Sequence, residues 1–514
     1  MYPGTHAATD PDRPAVIIAG TGRTLTYGEL DEGSARVASA LRGLGLRPGD
    51  VIAVLSDNAA EVFEIYWAAL RSGLYITPVN RHLTAPEIAH ILADSGAQVL
   101  FASAALDELA GRAAAEVPDL VRRYAFGGTI DGFASYRELR ESGRPGPLDD
   151  QPRGAEMLYS SGTTGHPKGI KLALPAVSVD EPGADIIAMM LAHVFAVTNA
   201  DVYLSPAPIY HAAPLKWSAA VHAIGGTVVM MEKFDPAAAL AAIERYRVTV
   251  TQMVPTMFVR LLQLPEEQRT RYDISSLRLA VHAGAPCPPE VKDAMIGWWG
   301  PIFTEYYGAT ESHGTTVMSS AEWESKRGSV GRAVLGVAHI CDDDGNELPS
   351  GEVGLVYFER DKPAFSYHND PEKTAGSRHP AHQNWATVGD MGYLDEDGYL
   401  YLTDRKSFMI ISGGVNIYPQ EVENVLALHP KIFDAAVIGV PDAEMGEQVK
   451  AVVQLREGVS PSDELASEII GYVRERLAHF KAPRSVDFVD QLPRSETGKL
   501  VKRILKASYV EASA

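Results

Sequence analysis

The chain has 514 residues, too many for one ordinary core, so two or more domains are expected. Its apolar fraction of 46% and charged fraction of 22% are those of an ordinary globular protein rather than a disordered or membrane-spanning one. The net charge of −20 argues against a duplex nucleic-acid partner and against attraction to an anionic lipid surface.

The N-terminus shows no basic region followed by an apolar one, and no apolar run reaches spanning length. The expected location is therefore the cytoplasm, with no stable membrane insertion. Glu29 to Leu46 reads as an amphipathic helix, followed by a short buried strand at Val51 to Leu55. Thr84-Ala85-Pro86-Glu87 is a capping box that starts a helix with Ile88, Ile91 and Leu92 on its apolar stripe. Further strands are expected at Gln98 to Phe101, Val202 to Leu204, Thr227 to Met231, Val248 to Met253 and Leu277 to Val281. Helices at Pro236 to Tyr246 and Pro288 to Trp299 separate some of them, an alternation that implies a mainly parallel, helix-covered sheet. From about Ser329, turn signals such as Asp342-Asp343-Asp344-Gly345-Asn346 between short strands predict antiparallel structure. Past Asp404-Arg405-Lys406, strands and helices recur in a compact run. There the spacing of Leu465, Ile469, Val473 and Leu477 predicts a helix opened by capping at Ser460. Only Cys287 and Cys341 are present, which excludes a disulfide framework and a multi-cysteine zinc site; buried, reduced thiols are expected.

The stretch Tyr159 to Ile170 concentrates the chemistry. Ser160, Ser161, Gly162, Thr163, Thr164, Gly165 and Lys168 combine hydroxyl donors, glycines that admit close backbone approach, and a full positive charge. That composition suits a phosphate, although surface loops share it and the Walker A spacing is absent. Glu305-Tyr306-Tyr307-Gly308-Ala309-Thr310-Glu311 offers aromatic faces, a hydroxyl and a carboxylate suited to Mg²⁺; taken alone it is equally a strand end with core tyrosines. Asp390 follows Gly389 at a strand end, and Lys499 follows a Thr-Gly turn.

Taken in order, these segments resemble the adenylate-forming superfamily, which includes acyl-CoA synthetases, luciferases and peptide-synthetase adenylation domains. The resemblance spans essentially the whole chain and rests on 159–170, Tyr306 to Glu311, Gly389-Asp390, Tyr401 to Lys406, Gly413 to Pro419 and Thr497-Gly498-Lys499. It implies an α/β fold: a large N-terminal domain of helix-covered β-sheets with a β-barrel-like subdomain (1–404), and a small mobile α+β C-terminal lid (405–514). It implies that residues 160–169 hold the departing phosphates of ATP, that Thr310 contacts the α-phosphate and that Glu311 anchors Mg²⁺. Tyr307 would lie against adenine, with Gly284-Ala285-Pro286 on the other side and Tyr306, Gly308 and Ala309 alongside. Asp390 would bind the ribose hydroxyls with help from Arg405, and Lys499 would bridge the attacking carboxylate and the α-phosphate. Gly413 and Gly414 would line a pantetheine passage, with Asp404-Arg405-Lys406 as the hinge. Pro208-Ile209-Tyr210-His211 matches the family position where His211 lies beside the substrate carboxylate. Lys216, in an otherwise apolar stretch, is expected to snorkel to the surface, with a contact to a second anionic group or a small anion as the sharper reading.

The implied activity is an ATP-dependent carboxylic acid–CoA ligase acting on a fatty or aromatic acid through an acyl-adenylate, with ATP, Mg²⁺ and CoA as cofactors and a homodimer allowed. Three alternatives remain at this point. The adenylate could pass to a carrier protein. The activated oxyanion could instead be nitrite, in a diazotase acting on an aminoaryl acid. The chain could also be a non-catalytic nucleotide-binding relative, although the joint presence of Thr310, Glu311, Asp390, Arg405 and Lys499 speaks against that.

Overall fold

The computed structural model describes residues 2–120, 122–160, 167–183, 185–363, 365–413, 415–442, 444–494 and 500–511. The expected phosphate-loop residues Ser161, Gly162, Thr163, Thr164 and Gly165 lie outside them, as do Gly414 and Lys499. The chain forms two compact units. One comprises Met1–Met253, Gln263–Val281 and Phe365–Thr374; the other comprises Val254–Leu262, His282–Ala364 and Ala375–Ala514.

The first unit contains an eight-stranded sheet. Its order is Ser366–Tyr367, Lys168–Lys171, Ala155–Ser160, Tyr75–Val79, Val51–Leu55, Ala97–Ser103, Arg122–Phe126 and Ala134–Ser135. The strands from Ala155–Ser160 to Ala134–Ser135 run parallel. Every residue of Val51–Leu55 is buried, as a strand covered on both faces requires, and this is why it reads as an unbroken apolar run. A second set of strands runs in the order Val250–Met253, Val202–Ser205, Thr227–Met230, Pro14–Ile18 and Thr24–Thr26. The capping box at Thr84 forms as expected, with Gly96 closing that helix in the left-handed conformation. The helix expected from Glu29 instead spans Tyr27–Gly43. Thr26 is its cap and Glu29 is the third residue, whose carboxylate reaches back to the Thr26 N–H.

The second unit is antiparallel through Arg405, as the turn signals predicted, while Ser485–Val489 joins the C-terminal sheet parallel to Gly446–Leu455. Phe303–Gly308, Thr315–Ser319 and Arg332–Leu335 form one meander. A five-stranded sheet orders Val337–Cys341, Gly354–Glu359, Asp390–Leu394 and Leu400–Arg405, with Trp385–Ala386 on Gly354–Glu359. The C-terminal residues build their own sheet around Ile432–Asp442 and Gly446–Leu455, covered by Val422, Leu426, Leu465, Ile469 and Val473 from two helices. The helix expected from Ser460 starts at Asp463, capped by the Ser462 hydroxyl, and ends at Arg474 before Leu477. Ser460 and Ser462 are both competent caps, and the Ser462 hydroxyl takes the role by accepting from the Leu465 N–H. A large N-terminal set of sheets and helices with a smaller C-terminal domain is thus the architecture. No helix among the described residues is long and apolar enough to cross a membrane.

Candidate active site

In the first unit, the strands Ala155–Ser160 and Lys168–Lys171 are antiparallel neighbours, and Ser160 and Lys168 are their last registered pair. The hydroxyl- and glycine-rich stretch is therefore the connection between them. Lys168 Nζ donates to Asp370 Oδ2 at 2.6 Å. Asp370 is positioned by the short strand Ser366–Tyr367, which pairs with Lys168–Lys171. Its other oxygen accepts from the Lys373 N–H at the start of the helix Pro371–Gly376. The Lys168 ammonium and this N–H hold the Asp370 carboxyl below the usual range. Asp94 ties the same region down, accepting from Tyr159 Oη at 2.6 Å and Asn369 Nδ2 at 3.1 Å.

His211 is the N-terminal flanking residue of the helix Ala212–Ile224, with its backbone extended and its ring 4.4 Å from that of Tyr210. Lys216, on the second turn, corrects the snorkelling expectation. Its side chain is 14% exposed and its ammonium lies 3.9 Å from Glu156 Oε2. Glu156 also accepts from Tyr66 Oη. A carboxylate on the strand beneath holds the charge inside, where the apolar sequence around Lys216 gave no sign of a partner. The anion that Lys216 meets is a residue of this chain.

In the second unit, Gly284 sits at φ +83°, a conformation that favours glycine, and opens the Gly284-Ala285-Pro286 turn. Tyr306 and Tyr307 lie near the end of the strand Phe303–Gly308 and, as neighbours on a strand, point to opposite faces. Tyr307 Oη donates to Asp390 Oδ2 at 2.6 Å, and Arg405 Nε donates to Asp390 Oδ1 at 3.0 Å. Asp390 and Arg405 are register partners on adjacent strands, so the sheet itself sets that ion pair. Burial and then the Asp390 charge push the Tyr307 hydroxyl pKa well up, so it stays a donor. The Asp390 carboxylate is thus oriented from both sides with lone pairs to spare for hydroxyl donors.

Gly308, Ala309 and Thr310 lead from that strand to Glu311, which is buried. The next residue, Ser312, adopts φ +54°, a strained conformation for a side-chain-bearing residue, with its carbonyl held by Arg360 Nη1 at 3.0 Å. No group of three or more metal-ligating side chains occurs among the described residues. A single carboxylate nevertheless suits Mg²⁺, which commonly takes one or two carboxylates and fills its octahedron with phosphate oxygens and water. Gly413 has φ +58°, in the left-handed region that favours glycine. The cysteines are free, and burial raises both thiols, Cys341 to about 11, so neither is an activated nucleophile.

Two charged residues here escaped sequence reasoning. The helix Pro289–Trp299 buries Lys292, Met295 and Trp299, and Lys292 Nζ donates to Glu305 Oε2 at 2.8 Å. The i, i+3, i+7 spacing was a usable signal, because it puts a lysine on the apolar stripe. Asp370 carried no such signal.

The sequence matches the AMP-binding enzyme family over residues 4–368 and the AMP-binding enzyme C-terminal domain over 421–499. It is 34% identical to a fatty acid–[acyl-carrier-protein] ligase, ScoC, of Streptomyces coeruleorubidus over 99% of this chain and 96% of the relative. It is 35% identical to a feruloyl-CoA synthase of an Amycolatopsis species over 98% and 97% of the two chains. The crystal structure of ATP-bound MatB from Rhodopseudomonas palustris superposes with a TM-score of 0.84 at 29% identity, covering all of both chains. The chain belongs to the AMP-binding enzyme family, within the adenylate-forming superfamily, and is an enzyme of the AMP-forming ligase class.

Proposed function

We propose that the protein is an ATP-dependent carboxylic acid–CoA ligase that forms an acyl-adenylate and passes the acyl group to CoA, releasing AMP and pyrophosphate. The observation that carries this reading is the Asp390 carboxylate, held by Tyr307 on one side and Arg405 on the other. It is a preorganised acceptor pair for ribose hydroxyls beside an aromatic wall. Tyr307 and Gly284-Ala285-Pro286 flank the adenine, Tyr306 to Ala309 complete that wall, and Thr310 meets the α-phosphate. Glu311 holds the Mg²⁺ that offsets phosphate charge. Residues 160–165 and Lys168 take the leaving pyrophosphate, Lys168 exchanging Asp370 for it. His211 lies at the acid's carboxylate, while the Lys216–Glu156 pair belongs to the wall on the acid side. Lys499 brings the acid and the α-phosphate together, because two anions meet only where fixed positive charge offsets their repulsion. Gly413 and Gly414 line the approach of the thiol, and residue 405 begins the C-terminal lid.

A second reading has support of its own. The similarity to a ligase acting on an acyl-carrier protein favours a carrier as acceptor as much as CoA. For the nitrite reading, the anion seen at Lys216 is Glu156, 3.9 Å from its ammonium, and no observation favours a small anion there.

The deciding experiment follows AMP release with ATP, Mg²⁺ and a panel of fatty and aromatic acids, with CoA, with a phosphopantetheinyl carrier protein, and with neither. CoA-dependent AMP release is the expected result. Release that responds only to the carrier makes the second reading correct, and no acid-dependent AMP with any acceptor overturns both.

A further inference from the structure

The Gly284-Ala285-Pro286 turn is bracketed by two buried side chains that converge on one oxygen atom. His282, two residues before it, is fully buried, edge-on to Phe258 at 5.4 Å, with its Nε2 3.8 Å from Glu305 Oε2. Lys292, six residues after it, is also fully buried and donates to the same Oε2 at 2.8 Å. The Lys292 ammonium further sits 3.9 Å from the ring centre of Trp323, whose Nε1 donates to Asp293 at 2.7 Å. Glu305 lies two residues before Tyr307 on the strand Phe303–Gly308, whose register to Thr315–Ser319 is fixed at five positions. One carboxylate on the Tyr307 strand therefore bonds the Lys292 side of the turn and packs against the His282 side.

Stability alone is a poor account of this arrangement. Taking two charges out of water costs several kcal/mol per ion, and apolar isosteres of such pairs are often as stable or more so. Burial raises the Glu305 carboxyl against the lowering by Lys292, and burial then the Lys292 charge drive the His282 imidazole well below its usual value, so it is neutral. What an ion pair supplies that an apolar contact does not is a directional, distance-specific link.

We propose that Glu305 and Lys292 are positioning residues for ATP: the carboxylate clamps the 284–286 turn at a fixed separation from Tyr307, so that the adenine slot is set before the nucleotide arrives. The proposal rests on the reading that adenine lies between that turn and Tyr307. A preset slot lowers the ordering cost of binding, so its loss appears in ATP binding and base selectivity more than in the chemical step.

The test compares the wild type with Y307A, E305D and the double variant K292M/E305L, measuring melting temperature, kcat, KM for ATP and the preference for ATP over GTP. The double variant removes both charges while keeping volume. It is expected to melt near or above the wild type, to raise KM for ATP roughly tenfold with kcat within about twofold, and to lose base preference. E305D keeps the ion pair but retracts the carboxylate, and should raise KM about threefold even if the double variant does not fold. Wild-type KM and wild-type base preference in K292M/E305L, or in E305D where only that variant folds, overturn the clamp. If those values hold while Y307A raises KM, the clamp alone fails. An unchanged KM in Y307A removes the adenine placement and the clamp with it, and a wild type without acid-dependent AMP release removes the parent function as well.

Discussion

Two short ion pairs, one in each unit, are held in opposite ways. In the first, Lys168 and Asp370 form a short ion pair with side chains 25% and 28% exposed. In the second, Lys292 and Glu305 pair at a similar distance with side chains 0% and 8% exposed. A pair in reach of water is worth about 0–1 kcal/mol, so a phosphate can displace one partner at little cost. Removing one partner of a buried pair costs about 3–5 kcal/mol, so that pair persists whatever binds. The first unit thus offers an exchangeable cation and the second a fixed frame. That division suits a leaving group that must be released and a base that must be held.

The largest expected effect tests the frame. Glu305→Gln leaves Lys292 buried without its counter-charge and should lower unfolding free energy by about 3–5 kcal/mol in a denaturant titration. A loss below about 1 kcal/mol would erase the contrast with Lys168.

Next comes a fixed polar group in the first unit. His222 is fully buried, accepting from Trp67 Nε1 at Nδ1 and facing the Ala15 carbonyl through Nε2. Burial lowers its pKa to about 3. The unfolded chain takes up the proton near pH 6.5 and the folded chain does not, so this contribution is complete above pH 6.5 and is lost as pH falls toward 3. Between pH 7 and pH 5 His222 should remove about 2 kcal/mol of stability, and His222→Gln should flatten that part of the profile. An unflattened profile would assign the slope to other groups.

A smaller effect is expected at Asp390, the proposed ribose acceptor. Tyr307→Phe deletes one charge-assisted hydrogen bond to Asp390 and leaves Arg405 in place, at about 1.5 kcal/mol or roughly tenfold in KM for ATP. The smallest sharpens the exchangeable side. Asp370→Asn should release Lys168 and tighten inhibition by pyrophosphate by about two- to fivefold, measured at fixed ATP. Weaker inhibition would mean that Asp370 orients the lysine for phosphate rather than competing for it.

Local chemistry made much of this legible in advance. The capping box at Thr84 formed as the spacing predicted because a cap bonds only across three residues. Gly284, Tyr307, Asp390 and Arg405 were picked out in order along the chain, and three of them meet as a hydrogen-bonded group. Element ends were less legible, as at Ser462, because Ser460 and Ser462 are both competent caps and only packing selects between them.

Local patterning determined the type of many elements, since that depends on neighbours within a few residues, and the order of the motifs along the chain determined the family. Which charge faces which was decided only by the fold. Lys168 meets Asp370, Lys216 meets Glu156, and Lys292 meets Glu305 beside His282. No periodicity encodes those partners, because pairing across separate strands and helices depends on packing, and burial then sets whether the pair is exchangeable or fixed.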